Sequence, residues 1–137
     1  MILWDTGPLL ATVDRSDRHH AASVALMRAT RRPLLVPAPV LVEVCYFLQE
    51  RVGPRAEAAF LRSISAGHLT LVHPEPADID RAADLVEQYA GFPLGTVDAS
   101  VLAIAERLEI TQIASIDHRH FHAVKLRHCD GLELLPA

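Results

Sequence analysis

Four acidic side chains occupy positions where the surrounding sequence predicts apolar ones. Asp5 and Asp117 each end a short apolar run, Glu43 lies inside a long one, and Asp98 begins another. Removing an ionised carboxylate from water is unfavourable, so buried acids are usually paired with a cation or bound to a metal. No Lys or Arg is adjacent to any of the four in the sequence. We therefore expect these four carboxylates to share a bound divalent cation.

Helical spacing places two of the acids on faces that point into the protein. Asp98 lies three residues before Val101, which begins an apolar stripe at helical spacing that continues to Leu108. Glu43 falls inside a second apolar stripe, made of Val40, Val44, Phe47 and Leu48. Four carboxylates brought together would repel one another and raise some of their pKa values. Mg²⁺ or Mn²⁺ would offset this repulsion, since oxygen ligands suit both ions.

The elements that must position these acids alternate along the chain. Short apolar segments predict strands at 2–5, 34–36, 68–72, 112–116 and 132–135. Amphipathic segments predict helices from Gly7-Pro8, at 17–30, 39–52, 55–66 and 78–89, and from an N-cap at Thr96 to Leu108. This order predicts an α/β fold, a three-layer α/β/α sandwich with a mostly parallel central sheet, formed by residues 1–137 as one domain. Ligands of such sheets bind at the carboxyl ends of the strands.

The composition excludes several classes of protein and leaves others open. Half of the 137 residues are hydrophobic, but no apolar stretch approaches the roughly 20 residues that a membrane-spanning helix needs. We therefore expect a soluble, cytoplasmic protein without a membrane partner. The net charge is −4, which at first argues against a nucleic-acid partner. However, residues 1–62 carry eight Lys or Arg and six acids, and this basic first part could follow a phosphate backbone.

Each acid also has an ordinary structural explanation. Asp5 could be the N-cap of the following helix, Asp98 could be a first-turn acid favoured by the helix dipole, and Asp117 could cap a turn. Glu43 has no such explanation, because nothing around it in the sequence favours a charge. The coincidence of all four acids, rather than any one of them, indicates a metal site.

Four sequence segments together resemble the PIN domain, and within it the VapC-type toxins of bacterial toxin–antitoxin pairs. They are residues 5–11, the pair Glu43-Val44, residues 94–100 and residues 115–121. Each segment alone is weakly specific, whereas their order and spacing over nearly the whole chain are fairly specific. All four acids that the resemblance requires, Asp5, Glu43, Asp98 and Asp117, are present.

The resemblance implies a function and a set of site residues. The acidic quartet of the family would fall on Asp5, Glu43, Asp98 and Asp117, as catalytic residues and metal ligands, with Thr6 and Ser115 as supporting hydroxyls. It implies an endoribonuclease that requires Mg²⁺ or Mn²⁺, leaves a 5′-phosphate, is inhibited by a cognate antitoxin and acts as a homodimer. Among direct metal ligands we favour Asp5 and Asp98.

Alternative interpretations are less consistent with the sequence. His118, His120 and His122 alternate, but a loop or turn is as probable there as a strand, so contact with solvent or RNA is favoured over a transition-metal site. A phosphoacceptor receiver needs a suitably placed Lys after a late strand, and a haloacid-dehalogenase-like phosphatase needs an Asp at Gly7. A dinucleotide site needs a Gly-rich turn after the first strand. A non-catalytic RNA- or protein-binding module remains open.

Overall fold

The computed structural model describes residues 1–136 as strands and helices in alternation. The strands are β1 (Ile2–Trp4), β2 (Leu35–Pro37), β3 (Thr70–Val72), β4 (Gln112–Ala114) and β5 (Glu133–Leu135). The helices are α1 (Thr6–Val13), α2 (His20–Ala29), α3 (Ala38–Arg51), α4 (Pro54–Ser65), α5 (Pro76–Gln88), α6 (Thr96–Leu108) and α7 (His118–Ala123).

The five strands form one sheet in the order β3-β2-β1-β4-β5, and every neighbouring pair is parallel. The first strand is therefore central, with β4 on one side and β2 on the other. The predicted α/β sandwich is confirmed, and its sheet is wholly rather than mostly parallel. None of the helices within residues 1–136 is long and apolar enough to cross a membrane.

Burial along the central elements explains why they form the core. Trp4 and Ile113 on neighbouring strands are completely buried. Helix α6 is buried at every residue from 99 to 105, so its predicted stripe is only part of the surface that it buries. Because α6 contacts both α3 and α5, it holds its first turn, with Asp98, in a constrained position.

Several boundaries differ from the predicted ones. The strands are shorter, so that Asp117 lies three residues beyond β4 instead of at its end. Gly95, not Thr96, is the N-cap of α6, and Thr96 is its first helical residue. The apolar pattern over 78–89 predicts that Ile79, Ala82, Ala83, Leu85 and Val86 lie on the inner face of α5. This was wrong in part, because Ile79 and Val86 are exposed. Asp78 is buried there instead, since it closes a capping box with Glu75.

Two arginine–carboxylate pairs attach α5 to α6. The Arg81 guanidinium donates to both oxygens of Glu106, at 2.7 and 3.1 Å. Arg107 Nε donates to Asp78 Oδ2 at 2.8 Å, and the Asp78 side chain is only 4% exposed. The acids of this interface are therefore neutralised by the protein itself.

Candidate metal centre

The sheet topology places Asp5 and Asp117 at the same edge of the sheet. Asp5 directly follows β1, and Asp117 follows the neighbouring parallel strand β4. The Asp5 backbone N–H donates to the Ala114 carbonyl at 2.9 Å, so the two strands remain paired where the site begins. This is the edge where ligands bind in parallel α/β sheets.

One cavity of about 450 Å³ at this edge is lined by all four acids. Asp5 reaches it from the β1–α1 junction, Glu43 from the second turn of α3, Asp98 from the first turn of α6 and Asp117 from the N-cap of α7. No Lys or Arg of residues 1–136 lies within 4.0 Å of any of these four carboxylates. The structure thus brings together the four acids that the sequence singled out, and their assignment as metal ligands remains a prediction.

Asp5 is the most deeply buried member of the quartet, at 6% exposure. It occupies the N-cap position of α1, but its side chain does not cap the helix. It accepts instead a hydrogen bond of 3.0 Å from the Ser115 hydroxyl. Burial raises the pKa of Asp5 to about 7; the Thr6 amide opposes this rise, and the negative charge of Asp98 adds to it. A bound cation would stabilise the ionised form of this carboxylate.

The two predicted hydroxyls both hold carboxylates in position. Thr6 Oγ1 donates to Glu43 Oε1 at 2.6 Å, which joins the start of α1 to α3. The Ser115 hydroxyl accepts from the Asp117 backbone N–H at 3.1 Å while it donates to Asp5. One serine therefore connects two acids that are 112 positions apart in the sequence.

Asp98, Asp117 and His120 form the tightest group in the cavity. One potential ligand atom from each lies within 4.8 Å of the other two. Burial raises the pKa of Asp98 to about 6; His120 opposes this rise, whereas the charges of Asp117 and Glu43 add to it. Asp117 is the most exposed of the three, and its carboxylate also accepts from the His120 backbone N–H as the N-cap of α7. Its predicted capping role and a role in the site are therefore compatible.

The segment that carries the alternating histidines is the helix α7, not a strand. His118 and His122 are exposed, with ring centroids 5.9 Å apart. His120 alone of the three lines the cavity. An i, i+2 alternation on a helix does not place side chains on one face, which is why the sequence did not single out His120.

Other residues of the cavity wall were not predicted. Asp17 and His19 lie before α2, whereas Phe47 and Arg51 follow Glu43 by one and two helical turns. The Arg51 guanidinium lies 4.8 Å from the centroid of the Phe47 ring. The helical spacing from Glu43 was a usable signal for Phe47 and Arg51, but the sequence offered none for Asp17.

Gly7 allows α1 to approach the segment that carries Asp117. A Cβ atom at this position would lie only 3.2 Å from two side-chain atoms of Ile116. Both residues line the cavity, so the close contact fixes the distance between its two walls. A larger residue would have to displace Ile116, which precedes Asp117.

The donor set of the cavity fits a hard divalent cation. It provides carboxylate oxygens from four residues, two of which have pKa values raised by burial and by mutual repulsion. Magnesium and manganese ions prefer such oxygen ligands and neutralise their charge. A cation held by these residues would supply a positive centre able to activate water and polarise a substrate oxygen.

Comparison with known proteins identifies the family. The model of the PIN domain matches residues 2–126. Ribonuclease VapC26 of Mycobacterium tuberculosis is 34% identical over 121 residues, which are 88% of this chain and 90% of that protein. The chain therefore belongs to the PIN domain family. The resemblance to VapC-type proteins that the four sequence segments predicted is confirmed.

Solved structures agree with the fold. VapC20 of Mycobacterium tuberculosis, a sarcin–ricin loop cleaving toxin, superposes with a TM-score of 0.84 at 19% identity, covering 95% of this chain and 99% of its own. A toxin–antitoxin complex from Klebsiella pneumoniae gives a TM-score of 0.69 at 18% identity, with 90% and 92% coverage. At these identities the likeness supports the architecture and not a particular substrate.

Proposed function

We propose that this chain is a divalent-metal-dependent endoribonuclease and the toxin of a toxin–antitoxin pair. One observation carries the nuclease proposal: four carboxylates line one cavity at the carboxyl edge of the sheet, and within residues 1–136 none of them has a Lys or Arg partner. Membership of the PIN domain family and the similarity to ribonuclease VapC26 support the same activity.

The acids would hold Mg²⁺ or Mn²⁺, with Asp5 and Asp98 as preferred ligands and Glu43 and Asp117 completing the set. When bound, the cation lowers the pKa of a water molecule and polarises the scissile phosphate. Thr6 keeps Glu43 turned toward the cavity, and Ser115 does the same for Asp5. These hydrogen bonds reduce the rearrangement that metal binding requires.

We place the RNA backbone along the wall that carries Arg51 and His19. Arg51, His19 and His120 are the basic side chains among the residues that line the cavity. Arg51 is exposed and lies over the Phe47 ring, so its guanidinium can meet a phosphate while its position is held by the aromatic face. Phosphates next to the carboxylates would then be balanced by a positive charge.

The nuclease experiment compares the wild type with Asp5→Asn by mapping new 5′ ends across cellular RNA. Asp80→Asn is a matched control, because Asp80 is an exposed acid on α5 away from the cavity. We expect Mg²⁺-dependent ends with a 5′-phosphate for the wild type and the control, and none for Asp5→Asn. Identical, Mg²⁺-independent ends in all three would contradict the proposal and favour a non-catalytic binding module.

The antitoxin would dock in an apolar groove on the other side of α1. This groove has a volume of about 460 Å³. Its apolar wall comes from α1, α2 and α4: Leu9, Val13, Met27, Ala56, Ala59 and Phe60. Arg28 and Arg32 also line it. An amphipathic helix with acidic flanks fits this combination. Exposed apolar residues of the helix pair at 39–66 could also form a groove, but of that pair only α4 lines this one.

Substitution in the groove separates antitoxin binding from catalysis. Ala59→Glu adds a charge to the apolar wall, whereas Ala22→Glu adds one to an exposed position of α2 outside it. We expect Ala59→Glu to cleave RNA normally but to escape inhibition by the co-expressed antitoxin. Normal inhibition of Ala59→Glu, measured beside Ala22→Glu, would place the antitoxin elsewhere.

A homodimer would cover the exposed apolar residues of α3 and α5. Val42 and Tyr46, one turn apart on α3, are 66% and 57% exposed. Ile79 and Val86, two turns apart on α5, are 53% and 38% exposed. Large exposed apolar patches mark interaction surfaces, and these four residues are our candidates for one. Light scattering of Tyr46→Glu beside the wild type should detect a monomer where the wild type is a dimer.

A further inference from the structure

A nitrogen donor faces the carboxylates of the cavity from α7. His120 Nδ1 contacts Asp117 Oδ2 and lies 3.4 Å from Asp98 Oδ2. The three donor atoms lie within 4.8 Å of one another. Ligands on opposite sides of one cation, each about 2.0–2.4 Å from it, are about 4–4.8 Å apart. All three side chains can therefore reach a single ion, which would take the place of the hydrogen bond between His120 Nδ1 and Asp117 Oδ2.

Packing holds the His120 ring in this orientation. The Phe92 ring meets it edge to face, with centroids 5.1 Å apart and planes at 75°. The Arg119 guanidinium lies over the Phe92 ring at 5.4 Å, so the loop between α5 and α6 is itself held against α7. The side chain of His120 is 24% exposed, in contrast to the exposed His118 and His122. Of these three histidines, the structure partly buries and orients the one that faces the acids.

We propose that His120 is a direct ligand of the active-site metal, through Nδ1, and that it shifts the preference of the site toward Mn²⁺. This inference rests on the proposed metal-dependent function. An imidazole nitrogen is a softer donor than a carboxylate and binds later first-row metals more readily than Mg²⁺, which favours oxygen. With Asp98 and Asp117, His120 makes a mixed nitrogen and oxygen set in place of a purely carboxylate one.

A purely positioning role for His120 makes a different prediction. In that case its ring would only donate a hydrogen bond to the Asp117 carboxylate, and the metal would contact oxygen atoms alone. Glutamine can provide a similar N–H donor, so His120→Gln would retain most of the affinity for both metals. The direct-ligand role predicts that the same substitution removes a metal–nitrogen bond that glutamine does not replace.

The test uses Mn²⁺ alone as the probe, bound to the full chain and followed by electron paramagnetic resonance. Pulsed spectra of the wild type should show coupling to a directly bound imidazole nitrogen, and histidine labelled with ¹⁵N should change that coupling. His120→Gln should lose the coupling and bind Mn²⁺ about 10-fold or more weakly, with a smaller change for Mg²⁺. Circular dichroism verifies that the variant is folded.

Two matched variants assign the signal to one residue. His19→Gln removes the other imidazole of the cavity wall, and His122→Gln removes an exposed one from the same helix. Both should retain the nitrogen coupling and the Mn²⁺ affinity. If His120→Gln does not fold, loss of the coupling in His19→Gln would overturn the assignment, and its persistence there and in His122→Gln would support it.

Absence of nitrogen coupling in the wild type would overturn the proposal, as would equal losses of Mn²⁺ and Mg²⁺ affinity in His120→Gln. The measurement needs no RNA, so its outcome is separable from that of the nuclease proposal. Nitrogen-bound Mn²⁺ without RNA cleavage would retain this inference and reject the nuclease. RNA cleavage without nitrogen coupling would retain the nuclease proposal and reject His120 as a metal ligand.

Discussion

The interface between α5 and α6 and the carboxylate cavity each contain a deeply buried acid, Asp78 at 4% and Asp5 at 6% exposure. Asp78 accepts from Arg107 Nε at 2.8 Å and from the Glu75 backbone N–H at 2.8 Å. Asp5 accepts from the Ser115 hydroxyl and has the acids Asp98 and Glu43 as its charged neighbours. Similar burial is thus combined with opposite electrostatic surroundings.

The pKa values show the same contrast. Burial would raise the pKa of Glu106 at the interface, but the Arg81 guanidinium and the Arg127 backbone N–H outweigh it and lower the pKa below its usual value. In the cavity, burial and neighbouring acids raise the pKa of Asp5 to about 7. A buried acid with an arginine partner is neutralised within the fold, so that removing the partner is destabilising, whereas an acid without such a partner is suited to bind a cation from solution.

The largest expected effect is the loss of cleavage in Asp98→Asn. The substitution removes a metal ligand, and replacing a catalytic group commonly costs about 10³-fold or more in rate. The fold should be retained in the absence of metal, because one of the mutually repelling charges is removed. Cleavage rates and thermal melting without metal measure both effects. Full metal-dependent activity of Asp98→Asn would show that Asp98 is not a required metal ligand.

At the interface between α5 and α6, Arg81→Met should destabilise the fold and leave catalysis unchanged. It leaves the Glu106 carboxylate, with 8% side-chain exposure, without its guanidinium. Removing one partner of a buried pair costs about 3–5 kcal/mol. Urea unfolding measures the loss, and Arg55→Met on the exposed surface of α4 is the control. A change in metal affinity instead of stability would contradict the proposed separation of the two regions.

The metal-free protein should lose stability as the pH rises from about 4 to about 7. The pKa of Asp5 is 3.8 when unperturbed and about 7 in the fold, so the folded state retains the proton longer than the unfolded one. Below the unperturbed pKa the buried carboxyl group does not reduce the free energy of unfolding. Above the folded-state pKa the reduction is complete, roughly 2–4 kcal/mol. Asp98 adds to the loss up to about pH 6.

Melting temperatures with and without Mg²⁺ measure this dependence. Added Mg²⁺ should recover most of the stability at pH 7.5, since it binds the folded state alone. Asp5→Asn should show a flatter profile than the wild type over the same range. A melting temperature of the metal-free protein that rises between pH 4 and 7 would contradict the raised pKa values of Asp5 and Asp98.

The smallest effect should come from Thr6→Val. It removes the 2.6 Å hydrogen bond to Glu43 while preserving the shape of the side chain. Loss of such a supporting contact typically costs about 10-fold in activity or metal affinity. Thr6→Ser, which retains the hydroxyl, should behave like the wild type. Equal losses in both variants would show that packing, not the hydrogen bond, supports Glu43.

Much of this architecture was predictable because apolar patterning is local. The short apolar runs around residues 2–4 and 112–114 indicated buried strands, whose carboxyl ends would carry Asp5 and Asp117 at one edge of a parallel sheet. The strand order that makes these two strands neighbours was not predicted. The helical stripes oriented Glu43 and Asp98 inward. Burial of Asp78 was not predicted, because its ion-pair partner Arg107 becomes a contact only when α5 packs on α6. Its capping partner Glu75, in contrast, is local.

From the sequence alone follow the alternation of strands and helices, the acidic quartet and the family, since each depends on residue type and spacing. The tertiary structure decided which acids receive a cation from the protein, that His120 rather than His118 or His122 faces the carboxylates, and that the apolar groove lies against α1 and α2. These features depend on contacts between segments far apart in the chain, as with Ser115 and Asp5. Among the described residues the same contacts leave Asp5 buried without an arginine, which is the physical reason for the proposal that it binds a metal ion.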